Sequence, residues 1–206
     1  MPFIESIRAT NVLSFGASGR EFALRDLNVI IGPNSSGKSN FVSLFSLLQA
    51  TPSDITRAFS VGGGISEWMW KGGRESPDAE IEVVLNKPGI PLRYRLAFRE
   101  EGQRFSLLDE RLESSGQRDI RFYYRYDAGR TTFSVVQTGD EALESRPEPG
   151  QPGKRRPPVF RNRILRTEEV QANQSVLAQR RGPEQYPEIT FVAEAFSRIR
   201  IYGVFT

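Results

Sequence analysis

The run IIGPNSSGKSN, residues 30–40, constrains this chain more tightly than any other stretch. It follows an apolar segment, FALRDLNVII, whose composition predicts a strand running straight into the glycine. After it, Phe41, Leu44, Phe45 and Leu48 recur at helical spacing from Gly37 onward until TPSD stops the pattern. Strand, tight loop and helix in that order fit the spacing G-x-x-x-x-G-K-[ST], read here as Gly32, Pro33, Asn34, Ser35, Ser36, Gly37, Lys38 and Ser39. The chemistry explains the spacing. Gly32 and Gly37 permit backbone angles that a side chain disfavours, so successive N–H groups can turn toward an anion. The helix start adds unsatisfied amides and the positive end of a dipole. Lys38 is placed to reach the β- and γ-phosphates of ATP, and the Ser39 hydroxyl to reach Mg²⁺. No N-K-x-D-like base reader is present, so guanine specificity is not expected.

Composition limits what such a loop can belong to. With 206 residues, 38% hydrophobic, 18 glycines and 13 prolines, the chain suits one domain with a small annex. It contains neither cysteine nor histidine, which excludes disulfides, the usual zinc sites and any mechanism with a histidine base. Catalysis would have to run on carboxylates, Lys, Arg, Ser, Gln and bound metal. A net charge of +3 does not imply a DNA-coating protein, although arginine dominates the basic residues. No apolar run is of membrane-spanning length, and MPFIESIRATN lacks the pattern of a secretion signal; the expected location is the cytoplasm, with no membrane partner.

The expected fold class is α/β, a P-loop NTPase core with an antiparallel β-meander. Residues 1–60 carry the strand, loop and helix core, with FIESIRATNVLSF as a further strand. Residues 60–78 read as a glycine-rich loop anchored by Trp68 and Trp70, whose expected role is packing. From 79 to 137, AEIEVVLN, LRYRLAFRE, RFSLLDERLES, IRFYYRYD and TTFSVVQ are separated by short turn signals and form the meander. Residues 144–158 are Pro, Gly and charge without period and read as a flexible loop, and 163–202 read as mainly helical. The basic run GKRRPPVFRNR can be a solvated loop or a contact for nucleic acid phosphates.

The loop LNVIIGPNSSGKSNF resembles the Walker A region of ABC-type ATPases related to RecF, SMC proteins and the OLD-family nucleases. Asn34 and Asn40 match asparagines usual there, whereas Ser35 stands where a glycine is more common. IESIRATNVLSF is similar to the first strand of those families, and QSVLAQRRGPEQYPEITFVAEAFSRIRIY to the end of the first lobe in bacterial ATPases of the group. The resemblance covers one lobe of two. It implies ATP and Mg²⁺ as cofactors. The implied partners are a second lobe or subunit, closure as a homodimer, and DNA or an effector protein. It also implies a glutamine that senses Mg²⁺ where the lobes join, for which Gln174 and Gln179 are candidates. No LSGGQ-like signature follows residue 50, and no histidine switch exists. FSLLDE, residues 105–110, is the one run shaped like an Asp-Glu strand. As a functional site, Asp109 would hold Mg²⁺ and Glu110 would polarise water; as structure, it is a meander strand that continues past the carboxylates. Three functions stand open: an ATPase lobe, a non-hydrolysing nucleotide-gated interaction module, and a P-loop kinase or GTPase using Asp109 and Glu110.

Overall fold

The computed structural model describes residues 2–60, 63–73, 78–116, 121–127, 130–136, 160–165, 173–180 and 182–202. The flexible loop expected at 144–158, and most of GKRRPPVFRNR, lie outside them.

One sheet organises the molecule. Its strands are β1 (Ile4–Thr10), β2 (Arg20–Ala23), β3 (Ala79–Leu85), β4 (Leu92–Glu101), β5 (Arg104–Ser114), β6 (Phe122–Asp127), β7 (Arg130–Val136) and β8 (Phe160–Leu165). They lie in the order β2-β1-β3-β4-β5-β6-β7-β8, with every neighbouring pair antiparallel. The five runs from AEIEVVLN to TTFSVVQ are β3 to β7. Period-two patterning sets the two faces: Ala79, Ile81, Val83 and Leu85 are buried, as are Leu92, Tyr94, Leu96 and Phe98 across from them. The opposite face carries Glu80, Arg95, Asp109 and Arg111, linked into a chain of ion pairs across three strands.

Helices cover the apolar face. α1 (Lys38–Ala50) buries Phe41, Leu44, Leu47 and Leu48, and Phe45 packs at the margin of the core. After it come α2 (Thr56–Ser60), α3 (Val176–Gln179) and α4 (Pro187–Ser197). α4 inserts Ile189, Val192, Ala193 and Phe196, and the Phe196 ring meets Tyr94 of the sheet edge-on at 5.3 Å. Gln49, near the end of α1, donates from Nε2 to the Ile199 carbonyl at 2.6 Å, which ties α1 to the segment after α4.

Trp68 is buried against Phe59, with ring centroids 5.4 Å apart. Trp70 is half-buried and lies so close to Gly72 and Gly16 that a Cβ at either would touch its ring, at 2.3 Å and 3.0 Å. Both tryptophans are packing residues in this chain.

Two expectations are corrected. FALRDLNVII is not one strand: β2 stops at Ala23, and residues 24–33 have no regular structure. Leu27, Val29 and Ile31 are 81%, 78% and 87% exposed. A strand apolar on both faces needs neighbours on both edges and layers on both sides, and the described residues supply none here. The second correction is at 160–165, which was expected on the margin of a helical region and is the edge strand β8, paired from Val136↔Phe160 to Thr131↔Leu165. α3 and α4 begin only after it.

Candidate functional site

The loop from Gly32 to Ser39 joins the exposed segment to α1, and its shape follows from two residues in the left-handed region. Gly37 is the residue before α1 and has φ 89°. A Cβ there would be strained by the backbone and would lie 2.8 Å from Ser14 Oγ, so glycine is required twice over. Ser35 also has positive φ, 64°, although it carries a side chain. Together they turn the backbone back over the start of the helix.

No side chain caps α1, and its first turn has no acidic residue. Its orphan N–H groups and the positive end of its dipole therefore face the loop's hollow uncompensated by protein. Lys38 folds back along the loop, donating from Nζ to the carbonyls of Gly32 at 2.8 Å and Pro33 at 2.6 Å. That bracing holds the ammonium at the rim of the hollow. The hollow, about 450 Å³, is lined by Asn34, Ser35, Ser36, Gly37, Lys38, Ser39 and Asn40, all but the last of them positions of the motif. Main-chain amides, a helix N-terminus and one lysine around an open concavity suit a phosphate chain.

A second hollow of about 540 Å³ adjoins the first and shares Ser36, Gly37 and Lys38 with it. Phe15, β2 and the segment leading into the loop form most of its wall; sequence spacing did not indicate Phe15, Arg20 or Phe22, which lie well before the loop. Phe22 stacks edge-on between Phe15 and Phe41, with centroids at 5.6 Å and 4.7 Å. The Arg20 guanidinium lies over the Phe22 ring at 5.4 Å.

For a metal, the donor set is sparse. Among the described residues no group of three or more His, Cys, Asp or Glu side chains could hold an ion. The exposed Ser39 hydroxyl fits one position on a Mg²⁺ that arrives with phosphate oxygens and water, as that ion usually does.

Asp109 and Glu110 line neither hollow. A register shift between Ala97 and Phe98 pairs Ala97 with Asp109 and Phe98 with Leu107, leaving Leu108 as an extra residue in β5. That bulge reverses the side-chain parity of the strand. Asp109 turns to the charged face, where Oδ2 accepts from Arg95 at 2.6 Å and from Arg111 Nε at 2.9 Å. Glu110 turns inward and is fully buried. Its Oε1 accepts from the hydroxyls of Tyr94 at 2.9 Å, Tyr124 at 2.9 Å and Ser175 at 2.6 Å, and its Oε2 from the Val176 N–H at 2.7 Å. Burial pushes the Glu110 carboxyl above its ordinary pKa, against the pull of those four donors. Burial, and then the Glu110 charge, push both tyrosines well up, so they stay protonated donors. This is a structural knot that fastens the start of α3 to the sheet, and both carboxylates are committed away from the loop.

The glutamines are also placed. Gln179 donates from Nε2 to the Gln174 carbonyl at 2.9 Å, closing the turn around Ser175. Neither Gln174 nor Gln179 lines the hollows at the loop.

A family model described as "AAA domain, putative AbiEii toxin, Type IV TA system" matches residues 27–197, from the exposed segment before the loop to the end of α4. The chain belongs to this AAA family. It is accordingly a P-loop ATPase-type domain, and the match spans the loop just described. No curated protein matches the chain. Among solved structures it is similar to a chain from work titled "Structural biochemistry of ATP-driven dimerization and DNA stimulated activation of SMC ATPases". That likeness has a TM-score of 0.35 and 18% identity, and covers 51% of this chain and 72% of that one. A likeness of that degree carries no statement about this chain.

Proposed function

We propose that this AAA-family chain binds Mg-ATP at residues Gly32–Asn40 and serves as the nucleotide-binding lobe of an ATPase that a second lobe or subunit completes. The observation that carries the reading is the loop itself: Lys38 braced on the Gly32 and Pro33 carbonyls at the mouth of an uncapped helix. In this reading the main-chain amides hold the phosphates, Lys38 neutralises the terminal ones and Ser39 contributes to Mg²⁺. The second lobe would cover Leu27, Val29 and Ile31, which at a spacing of two share one face of an extended segment. By resemblance, such closure would be coupled to DNA or to an effector, as a homodimer or with a distinct subunit.

Hydrolysis requires an oriented water and a positioning group beside the γ-phosphate. Among the described residues Asp109 and Glu110 are held elsewhere, which favours ATP binding with little turnover by this chain alone. It also weighs against a kinase or GTPase built on those carboxylates. The nucleotide-gated module keeps its support from the same observation.

Calorimetric titration with Mg-ATP tests the reading, together with phosphate release at saturation. Lys38→Ala should weaken binding by about 1.5–3 kcal/mol, the scale of hydrogen bonds to a charged group. Identical titrations for both proteins would refute the site. Steady release near one per second, lost in Lys38→Ala, would show a complete active site and refute the need for a second lobe.

A further inference from the structure

We propose that Ser14 is a positioning residue for the phosphate loop: its hydroxyl, carried on a turn that the fold holds rigid, wedges against Gly37 and fixes the backbone whose N–H meets the phosphates. The proposal rests on the reading that the loop binds nucleoside triphosphates, and adds what holds the loop in its binding shape before they arrive.

Gly37 needs a hold from outside the loop. Its φ of 89° suits glycine, but the same freedom lets a glycine leave that region at little cost. On one side its carbonyl accepts from the Phe41 N–H at 2.9 Å, which joins it to α1. Among the described residues no acceptor engages its own N–H, which in the proposed reading is kept for a phosphate. On the other side stands Ser14. Its Oγ lies 2.8 Å and its Cβ 3.7 Å from the point where a Cβ on Gly37 would sit. Apart from the neighbours of Gly37 in the chain, no other described atom comes within 4 Å of that point. Ser14 lines neither hollow, and its hydroxyl makes no hydrogen bond among the described residues. It therefore acts on a ligand through Gly37, by occupying space.

A wedge must itself be fixed. Leu13 and Ser14 form a two-residue tip between Val12 and Phe15, which exchange N–H to carbonyl bonds at 3.0 Å and 2.9 Å. Asn11 and Leu13 both have φ 53°, a region that residues with side chains seldom enter and that persists only where the surroundings enforce it. Here they do. The Leu13 N–H donates to the Trp68 carbonyl at 2.7 Å, the Trp70 N–H to the Asn11 carbonyl at 3.1 Å, and Asn11 Nδ2 to the Asp78 carbonyl at 3.1 Å. Val12 is buried, and Phe15 packs edge-on against Phe22, which meets Phe41 of α1 in turn. The tip and the start of α1 are thus tied to one aromatic row, and the hydroxyl is presented at a constant place beside Gly37.

Fixing the backbone of one residue on binding costs a factor of about 5–30 in affinity. The Phe41 bond still restrains Gly37 when Ser14 is lost, so Ser14→Ala forfeits part of that factor, about three- to tenfold. The test titrates the full chain with Mg-ATP and with magnesium tripolyphosphate, and measures urea unfolding without ligand. Ser14→Ala should weaken both ligands by the same factor and leave the unfolding midpoint in place, because Ser14 is exposed. Ser14→Cys puts a sulfur where the hydroxyl oxygen was, and should bind both ligands within about twofold of the parent although a thiol is a weak hydrogen-bond donor. Parent affinity in Ser14→Ala would make Ser14 a bystander and overturn the proposal. So would Ser14→Cys as weak as Ser14→Ala, which would make the hydroxyl a direct donor to the ligand, and so would a loss of affinity accompanied by a lowered unfolding midpoint. In each of these cases binding that still depends on Lys38 leaves the loop's assignment standing. If neither ligand binds the parent, and Lys38→Ala changes nothing, the assignment of the loop falls and this proposal with it.

Discussion

Replacing Glu110 by glutamine should destabilise the fold in a way that depends on pH and leaves nucleotide binding alone. The carboxylate accepts four hydrogen bonds with no exposed surface. An amide of the same shape keeps one acceptor oxygen and turns the other position into a donor. The Val176 N–H on Oε2 cannot reorient, so the amide oxygen stays against it and the new NH₂ faces the three hydroxyls on Oε1, whose own protons then lose the acceptor they shared. A buried donor left without an acceptor costs about 1–3 kcal/mol. The pH dependence follows from the raised pKa. The folded state holds the Glu110 proton more tightly than the unfolded chain, so Glu110's contribution is fully present below the unfolded value, near 4.3, and declines as pH rises through the folded value. The slope in that window is at most about 1.4 kcal/mol per pH unit. Glu110→Gln has no such titration, and the other carboxylates cancel in the difference. The stability of the parent minus that of Glu110→Gln should therefore be largest at low pH, fall across the window and become flat above it. Urea denaturation at a series of pH values, with Mg-ATP titration as a control, measures this. A difference that rises with pH would show that four hydrogen bonds outweigh burial at this carboxylate and refute the argument. Loss of Lys38-dependent ATP binding in a still-folded Glu110→Gln would refute the assignment of Glu110 to structure alone.

Two further outcomes follow from the loop and the segment before it. Ser35→Gly should stabilise the chain by about 0.5–1 kcal/mol in chemical denaturation, because relief of a side chain at φ 64° gains roughly 1–2 kcal/mol and glycine's freer unfolded state returns about 0.4–1; a destabilisation would mean that the Ser35 side chain holds the loop. Ile31→Lys, at a residue 87% exposed, should change the stability of this chain by less than about 0.5 kcal/mol while lowering its tendency to self-associate in sedimentation, and unfolding would show that Ile31 is core after all.

What the sequence could reveal depended on whether the signal was local. Gly32, Gly37, Lys38 and Ser39 form one short constellation followed by the period of α1, and both are visible without knowing where any other residue lies. The strands β3 to β7 were visible for the same reason, through alternation and turn residues. The fate of Glu110 was not. FSLLDE reads equally as a catalytic strand end or as part of a hairpin, and a bulge at Leu108 decides which carboxylate faces the core. Bulges leave little trace in a single sequence, because the change of parity only has meaning against the partner strand. Ser14 beside Gly37, and Arg20 over Phe22 beside the loop, were hidden in another way: tertiary packing joins positions that sequence spacing does not relate.

The segment Leu27–Ile31 is the case in which the pattern and the fold disagree, and the disagreement is informative. Periodicity reports the burial a segment is suited to, wherever the covering surface comes from. Here Leu27, Val29 and Ile31 alternate as one buried strand face would, while all three are more than three-quarters exposed. Leaving each of those side chains in water forgoes about 1.5–3 kcal/mol relative to burying it, a large amount beside the net stability of a domain. A covering strand would also satisfy the main-chain groups along the segment and draw it straight toward Gly32. Burial at this segment would then be felt directly at the loop that holds the phosphates. The physical consequence is a coupling: whatever covers Val29 and Ile31 also sets the approach of the backbone to Gly32, so assembly and nucleotide binding should each strengthen the other by the same factor.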